Sequence, residues 1–331
     1  MHLPDLVLHS PRRLVMPLVG QPGVKLTGST LWQNENNAEL HHRTVKALYD
    51  RVRPDGVFFL MDLSVEAGAL GLPVNFPLNE PPTVTGHPVA SSEDLARLRV
   101  VDPRFDGRIH TYVETMRSLA ADTAIAVPKG AYVAGPFALA GLMMGATEIA
   151  MATLTDPDLV HEVLGVATAV IAEYAAMLHQ AGADMIGMLE PTAVILSPSA
   201  FETFSGAYVQ KLVRAVETNW ILHICGNSTH LIDEMCATGV QGLSLDADVD
   251  LPQVAPRVPE EVIIFGNVHP VHVIERGTPA AVRAATTALL DAMADVPNFV
   301  LSTGCDVPYE APLENVVAFV EAAKAYGSRC G

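Results

Sequence analysis

Eight short apolar runs, separated by longer amphipathic segments, constrain the fold of this chain more than any other feature of its sequence. Each run is apolar on both faces and is bounded by glycine, proline or charged residues, as the strands of a buried parallel sheet are. The runs occupy residues 13–19, 56–62, 131–136, 184–190, 220–225, 242–247, 262–268 and 299–305.

Helical patterns fill the links between these runs. The pattern over residues 156–180 predicts a helix that Asp156 caps, with Pro157 in its first turn and apolar residues at helical spacing. Further helices are predicted near 38–52 and over 199–217, 279–294 and 312–326. No internal repeat, low-complexity run or linker divides the sequence.

Eight strands that alternate with helices within 331 residues predict an α/β protein, a (β/α)₈ TIM barrel. We expect a single domain over residues 1–331, with an insertion between strands two and three at 63–130. A doubly wound sheet is the alternative that the pattern leaves open.

The net charge and the cysteine content of the chain exclude several classes of function. With 20 basic and 37 acidic residues the net charge is −17, which argues against nucleic acid or an anionic membrane as a partner. No targeting signal is apparent, and the longest apolar stretch, residues 131–144, is too short to span a bilayer. The cysteines show no paired spacing, so we expect no disulfide framework and a reducing cytoplasm. They are Cys225, Cys236, Cys305 and Cys330.

Polar and metal-binding side chains gather where the predicted strands end. In a barrel of parallel strands the active site lies at the carboxyl ends of the strands, so these side chains are the candidates for a functional site. They are Asp62, Glu190, His223, Cys225, Asp246, Asp248, Asn267, His269, Cys305 and Asp306.

The strongest candidate is a metal site. His223 and Cys225 are two residues apart on one predicted strand, so their side chains share a face, and Cys305 ends the last strand. Imidazole and thiolate together suit Zn²⁺, and three protein ligands with one open position are typical of catalytic zinc. Glu190, at the end of the adjacent strand, is the candidate for an exchangeable fourth ligand.

Packing is the alternative interpretation of the same residues. A histidine and a cysteine with one residue between them form a weak motif, since buried cysteine is common as a small hydrophobic residue. Cys236 and Cys330 are interpreted as structural or incidental. Three further histidines are expected on helix surfaces, namely His41, His42 and His230.

Several segments resemble the uroporphyrinogen decarboxylase superfamily over nearly the whole chain. They are MDLSVEAGALGLPVNFP (61–77), AGPFALAGLMMG (134–145), GADMIGMLEPTAVILSPSAFETF (182–204), HICGN (223–227), GNVHP (266–270) and LSTGCDVPYEAPLENV (301–316). The H-x-C followed about 80 residues later by G-C-D-x-P resembles the branch of cobamide-dependent methyltransferases, which includes the methylcobamide:coenzyme M methyltransferases. This resemblance implies a (β/α)₈ barrel with a catalytic zinc on His223, Cys225 and Cys305.

The sequence departs from the decarboxylases of this superfamily. Those enzymes carry an arginine-rich segment near the N-terminus that binds the carboxylates of the substrate. Here the corresponding residues 15–30 offer Lys25 alone, and a buried polyanion needs several cations. Asp62 is shared across the superfamily and does not separate its branches.

The resulting hypothesis is a methyltransferase that uses zinc and a corrinoid, either free cobalamin or a corrinoid protein. Zinc would hold a small acceptor thiol as a thiolate, which takes the methyl group of methyl–cobalt(III), while Asp62 and Asn267 position the substrate. The opposite direction, from a methyl ether or methylamine to cobalt(I), stays open, as do the identity of the small molecule and the oligomeric state. The alternatives are a metal-free decarboxylase that uses Asp62 and a non-catalytic subunit that docks a corrinoid protein.

Overall fold

A computed structural model describes residues 1–98 and 102–327. Nine strands occur in this part of the chain: β1 (Val57–Phe58), β2 (Val74–Asn75), β3 (Thr83–Val84), β4 (Lys129–Ala134), β5 (Met185–Leu189), β6 (Asn219–Ile224), β7 (Gly242–Leu245), β8 (Ile263–Val268) and β9 (Phe299–Thr303). Seven of them form a curled parallel sheet in the order β1-β4-β5-β6-β7-β8-β9. The order in the sheet follows the order in the chain, which is unlike a doubly wound sheet, where the order reverses at a switch point.

The register of the sheet aligns the carboxyl ends of its strands. Leu189 at the end of β5 pairs with His223 of β6, which pairs in turn with Ser244 of β7. At the far side of the sheet, Val268 of β8 pairs with Thr303 of β9. The polar residues that follow these strands in the sequence therefore emerge at one edge of the sheet, as predicted.

Residues 13–19, predicted as the first strand, do not form a regular strand. They make only an isolated parallel bridge, from Val15 to Leu301 of β9. The carbonyl of Val15 also accepts the backbone N–H of Asp55, just before β1, at 2.8 Å. Pro17 has no N–H to donate, and the N–H of Leu18 turns to the hydroxyl of Thr303 at 3.1 Å. Seven regular strands therefore replace the predicted eight.

Sixteen α-helices lie in the described part of the chain. They are α1 (Leu3–Leu8), α2 (Val24–Thr27), α3 (Leu31–Glu35), α4 (Ala38–Val52), α5 (Val65–Ala69), α6 (Ser92–Arg97), α7 (Gly107–Ala121), α8 (Pro136–Met144), α9 (Ala146–Thr155), α10 (Pro157–Gln180), α11 (Pro198–Phe201), α12 (Ala207–Ala215), α13 (Ile232–Ala237), α14 (Leu251–Val254), α15 (Pro279–Ala292) and α16 (Leu313–Gly327).

The predicted helices are confirmed in position, with one interruption. Helix α10 begins with Pro157, and the Asp156 side chain accepts the N–H of Leu159 as an N-cap. The predicted helix over 199–217 is instead α11, one π-helical turn over Glu202–Gly206, and α12. The π turn places Ser205 on the buried side, where it contacts Glu190.

The long link between β1 and β4 folds into its own small elements. It contains α5, α6, α7 and an antiparallel pair of β2 with β3. Asp106 caps α7 by accepting the N–H groups of Arg108 and Ile109 at 2.9 and 3.0 Å. Residues 99–101 of the predicted insertion, and Cys330 near the C-terminus, lie outside the described residues.

The core is continuous from the sheet into the surrounding helices. Trp220 of β6 and Tyr174 of α10 are among its largest fully buried side chains, and burying a large apolar side chain stabilises a fold by about 2–3 kcal/mol. By length and composition α10 could cross a membrane, but 56% of its most apolar window is buried inside the protein. A core helix of a globular protein has the same property.

Removing the cap of α10 tests how this helix is held. We expect Asp156→Ala to lower the free energy of unfolding by about 1 kcal/mol, because the N–H of Leu159 loses its acceptor. Urea denaturation measures the effect. Glu162→Ala, which removes an exposed carboxylate from the same helix without a capping role, is the control. Equal stabilities of the two variants would contradict the capping role.

Candidate metal centre

The structure brings His223, Cys225 and Cys305 together. One ligand atom from each lies within 4.8 Å of the other two. Nε2 of His223 is 3.1 Å from Sγ of Cys225, which is 3.7 Å from Sγ of Cys305. Since β6 and β9 are not neighbours in the sheet, it is the curl of the sheet that brings their carboxyl ends to one point.

His223 is oriented by its neighbour on β7. Both residues are only 2% exposed, and Nδ1 of His223 lies 3.0 Å from the hydroxyl of Ser244 and 3.1 Å from its carbonyl. A carbonyl only accepts, so Nδ1 carries the proton and the lone pair of Nε2 faces the two sulfurs. This arrangement is the usual second contact of a histidine that binds a metal.

The spacing of the cluster fits zinc. Zn–S bonds of about 2.3 Å in a tetrahedral site separate two sulfurs by about 3.8 Å, close to the 3.7 Å between Cys225 and Cys305. Both cysteines are only half-buried, and three protein ligands in a tetrahedral site leave a fourth position for a small molecule. One imidazole and two thiols form a donor set that zinc prefers.

Proton sharing within the cluster is uneven. Hydrogen bonding with Cys305 lowers the pKa of Cys225, and the same contact, with burial, raises the pKa of Cys305. Burial opposes a charge on His223, but its contact with Cys305 raises the pKa of His223 overall. Thiols bind metal as thiolates, so a metal that enters this site releases protons.

Asp246 and Asn267 belong to the surroundings of the cluster. The negative charge of Asp246 contributes an increase to the pKa of His223 and to that of Cys225. The amide of Asn267 donates to the carbonyls of Asp246 and Val249 at 2.9 and 2.6 Å, so it holds the loop after β7. Its predicted contact with substrate depends on the remaining amide oxygen.

Glu190, predicted as a fourth ligand, is not part of the cluster. Its Oε1 accepts the N–H of Phe137 at 2.9 Å and the hydroxyl of Ser205 at 2.7 Å, and its Oε2 accepts the N–H of Ala138 at 2.7 Å. Burial raises the pKa of Glu190 to about 7. The carboxyl group therefore caps the N-terminus of α8, and Glu190 lies outside the group of ligand atoms formed by His223, Cys225 and Cys305.

Asp62 is engaged as well. Its Oδ1 accepts the N–H and the hydroxyl of Ser64, both at 2.8 Å, and its Oδ2 accepts the hydroxyl of Tyr112 at 2.8 Å. Arg108 forms an ion pair with the same oxygen. The side chain of Asp62 is fully buried and holds Ser64, Tyr112 and Arg108. That Asp62 positions the substrate stays a prediction.

Sequence reasoning missed Arg108. It lies in the first turn of α7, next to the capping Asp106, and its guanidinium also donates to the hydroxyl of Ser64 and contacts the face of Phe76. A cation near the positive end of a helix dipole is unfavourable, so a basic residue two positions after an aspartate that can cap a helix was the available signal. Nothing in the sequence linked it to Asp62, 46 residues earlier.

Two buried glutamates near this ion pair were also missed. Burial and the charge of Asp62 raise the pKa of Glu35 to about 8, and burial raises the pKa of Glu66 to about 7. Each has one carboxyl oxygen without a hydrogen-bond partner. Burial therefore favours the neutral form of both carboxyl groups around Asp62 and Arg108.

The expected surface position of His41 is wrong. His41 is fully buried, and its Nε2 accepts the N–H of Leu60 at 2.9 Å. Burial lowers the pKa of His41 to about 3, so the ring is neutral. His42 is half-buried and bonded to Asp122, while His230 is exposed as expected. The sequence pattern did not show that His41, rather than His42, lies on the buried face of α4, because the two adjacent residues are both histidines.

Comparison with known proteins supports the resemblance. The profile of the family described as uroporphyrinogen decarboxylase (URO-D) matches residues 13–326. A methylcobamide:CoM methyltransferase MtbA from Methanosarcina mazei is 32% identical over 272 residues, 80% of this chain and 78% of that one. A uroporphyrinogen decarboxylase from Synechococcus sp. is 26% identical over 314 residues, 90% and 86% of the two chains. A solved methyltransferase from Methanosarcina mazei has the same fold, with a TM-score of 0.89, 24% identity and 98% coverage of both chains.

Glu190→Ala distinguishes a helix cap from a metal ligand. We expect the variant to lose about 3 kcal/mol of stability, because two backbone N–H groups and the Ser205 hydroxyl become unpaired in the core. Its metal content after purification should equal that of the wild type. Loss of metal with unchanged stability in urea denaturation would make Glu190 a ligand.

Glu35 predicts a pH dependence of stability. The pKa of Glu35 in the folded protein is raised to about 8, so its stabilising contribution is complete below the unfolded value of about 4.3 and is lost as the pH rises to about 8. In Glu35→Gln, the loss of stability between pH 5 and pH 9 should be smaller by about 2–4 kcal/mol. Urea denaturation across that range measures it.

The control for this measurement is Glu39→Gln, which changes an exposed glutamate nearby. The other buried carboxyl groups titrate in all three proteins, so the difference between the variants isolates Glu35. If Glu35→Gln and the wild type show parallel pH profiles, Glu35 is ionised in the folded protein at neutral pH and the argument fails.

Proposed function

This chain belongs to the uroporphyrinogen decarboxylase family, and we propose that it is a zinc-dependent methyltransferase that moves a methyl group between a corrinoid and a small thiol. The observation that carries the proposal is the cluster of one imidazole nitrogen and two sulfurs within 4.8 Å. Similarity to a methylcobamide:CoM methyltransferase over 80% of the chain supports methyl transfer as the general reaction.

Decarboxylation, the rival activity in this family, fits the site less well. A metal-free decarboxylation that depends on Asp62 does not require the two adjacent thiols of Cys225 and Cys305. Arg108, the cation that contacts Asp62, is already neutralised by that carboxylate. A substrate with several carboxylates requires several unpaired cations in its pocket, and the surroundings of Asp62 hold Glu35 and Glu66 instead.

The ligands His223, Cys225 and Cys305 each have a role in the proposed reaction. When bound, zinc supplies Lewis acidity that keeps a substrate thiol deprotonated and nucleophilic at neutral pH. Ser244 fixes the tautomer of His223, so Nε2 points toward the metal position. Cys225 and Cys305 contribute two negative charges, which leave the substrate sulfur electron-rich.

Other residues of the chain shape the site around this position. Asn267 secures the loop that carries Asp246, whose charge acts on His223 and Cys225. Asp62 fixes Arg108 and Tyr112 at the end of β1. The same arrangement serves the reverse direction, in which a methyl ether or methylamine gives its methyl group to cobalt(I), since binding and orientation are common to both.

We further propose that residues 13–19 complete an eight-stranded barrel, with the chain as one domain over residues 1–331. The hydrogen bonds of Leu301 with Leu14 and Met16 on one side, and of Val15 with Asp55 on the other, support this closure. A corrinoid, free or on a partner protein, would then approach the carboxyl ends of the strands. The free thiols of the site fit a reducing compartment such as the cytoplasm.

Metal analysis tests the zinc site. Protein purified without chelators should contain about one zinc per chain, and His223→Ala and Cys305→Ala should each lower this content at least about tenfold. Cys236→Ala, which removes a thiol outside the cluster, is the matched control and should keep its zinc. Absence of zinc from carefully prepared wild-type protein would refute the proposal.

Methylcobalamin absorbance tests the reaction. A panel of small thiols should demethylate methylcobalamin with the wild-type protein, and His223→Ala should reduce the rate by at least about 100-fold. If none of the thiols demethylates methylcobalamin, but an aryl methyl ether or a methylamine methylates cobalt(I), the direction of transfer is the reverse of the one proposed. Full activity of the His223→Ala variant would favour a docking subunit without a catalytic metal.

A further inference from the structure

Cys225 and Cys305 lie close enough to be joined to each other. Their sulfurs are 3.7 Å apart, and a disulfide requires about 2.0 Å, a difference that small rotations of the two side chains can close. We propose that, when zinc is absent, a peroxide converts these two thiols into an intramolecular disulfide, and that this disulfide reversibly closes the metal site.

The access of the oxidant follows from the position of the pair. Both cysteines lie at the carboxyl ends of strands. Cys225 is the first residue after β6, and Cys305 is the second residue after β9. Both are half-buried, so a molecule as small as hydrogen peroxide reaches the sulfurs from the open side. The two strands hold the sulfurs near each other, so the second step of the oxidation is intramolecular.

The chemistry balances with one peroxide. The thiolate of one cysteine attacks a peroxide oxygen, so an S–O bond forms, the O–O bond breaks, and the released oxygen takes a proton and leaves as water. The sulfur of the second cysteine then attacks the sulfenic sulfur, so the S–S bond forms and the S–O bond breaks. The second oxygen leaves as water with the remaining thiol proton. The thiol pair loses two electrons, and a dithiol reductant restores it by exchange.

Cys236 provides an internal comparison. It lies on α13, and burial raises the pKa of its thiol to about 11. Thiolate is the reactive form of cysteine, so Cys236 reacts slowly with peroxide at neutral pH. The structure therefore places Cys225 and Cys305 with their sulfurs 3.7 Å apart, and Cys236 lies outside this cluster.

The disulfide and the zinc exclude each other. Oxidation removes two of the three ligand atoms, and zinc bound to both sulfurs would hold them about 3.8 Å apart, too far for an S–S bond. This inference goes beyond the proposed methyl transfer and is tested on metal-free protein. If the zinc site or the methyl transfer is refuted, the sulfur chemistry is still measured on its own.

The test oxidises metal-free protein with one equivalent of hydrogen peroxide and then blocks the remaining thiols under denaturing conditions. Two of the four cysteines should become resistant to alkylation. Glutamyl endopeptidase cuts after Glu217 and Glu234, so Cys225 and Cys236 fall on different peptides. Mass spectrometry should detect the peptide of residues 218–234 joined to that of residues 276–310, two hydrogens lighter than their sum.

Variants and zinc complete the experiment. Cys236→Ser should form the same cross-link, whereas Cys225→Ser and Cys305→Ser should not. Zinc-loaded protein should form it at least about tenfold more slowly, and oxidised protein should take up zinc only after treatment with a dithiol. Sulfinic acid on either cysteine without a cross-link, a cross-link that involves Cys236, or equal rates with and without zinc would overturn the proposal.

Discussion

The convergence of strand ends in the curled parallel sheet is the constraint on which the rest of this structure depends. Hydrogen bonding fixes the register of neighbouring strands, so their carboxyl ends share one edge. The curl then brings the end of β6 to the end of β9, although two strands, β7 and β8, separate them in the sheet. Three ligand atoms that are up to 82 residues apart in the chain meet there because backbone pairing, rather than any local motif, sets their positions.

Buried acidic side chains are stabilised by different partners in two parts of the molecule. After β1, one full ion pair, Asp62 with Arg108, lies near Glu35 and Glu66, whose pKa values burial raises. At the end of β5, the carboxyl group of Glu190 is instead satisfied by the N-terminus of α8 and by Ser205. In both places an acidic residue orients a helix or a cation, which is why carboxylates at strand ends do not by themselves identify ligands or catalytic groups.

Much of the fold was predictable because its signals are local. Seven of the eight apolar runs become strands of the sheet, and Asp156 caps the helix that its spacing indicates. The run at 13–19 differs because Pro17 interrupts the backbone hydrogen bonds of a strand. The π-helical turn at Glu202–Gly206 has no periodic signal in the sequence, and it contains Ser205, which donates a hydrogen bond to Glu190.

By itself, the sequence determined the strand pattern, the identity of the residues at the strand ends and the pairing of His223 with Cys225 on one face. These depend on residue spacing, which is a local property of the chain. Only the tertiary structure decided that Cys305 meets that pair, that Glu190 caps α8, and that Arg108 reaches Asp62. Such contacts depend on how distant segments pack, and a side chain's partners are fixed only when that packing exists.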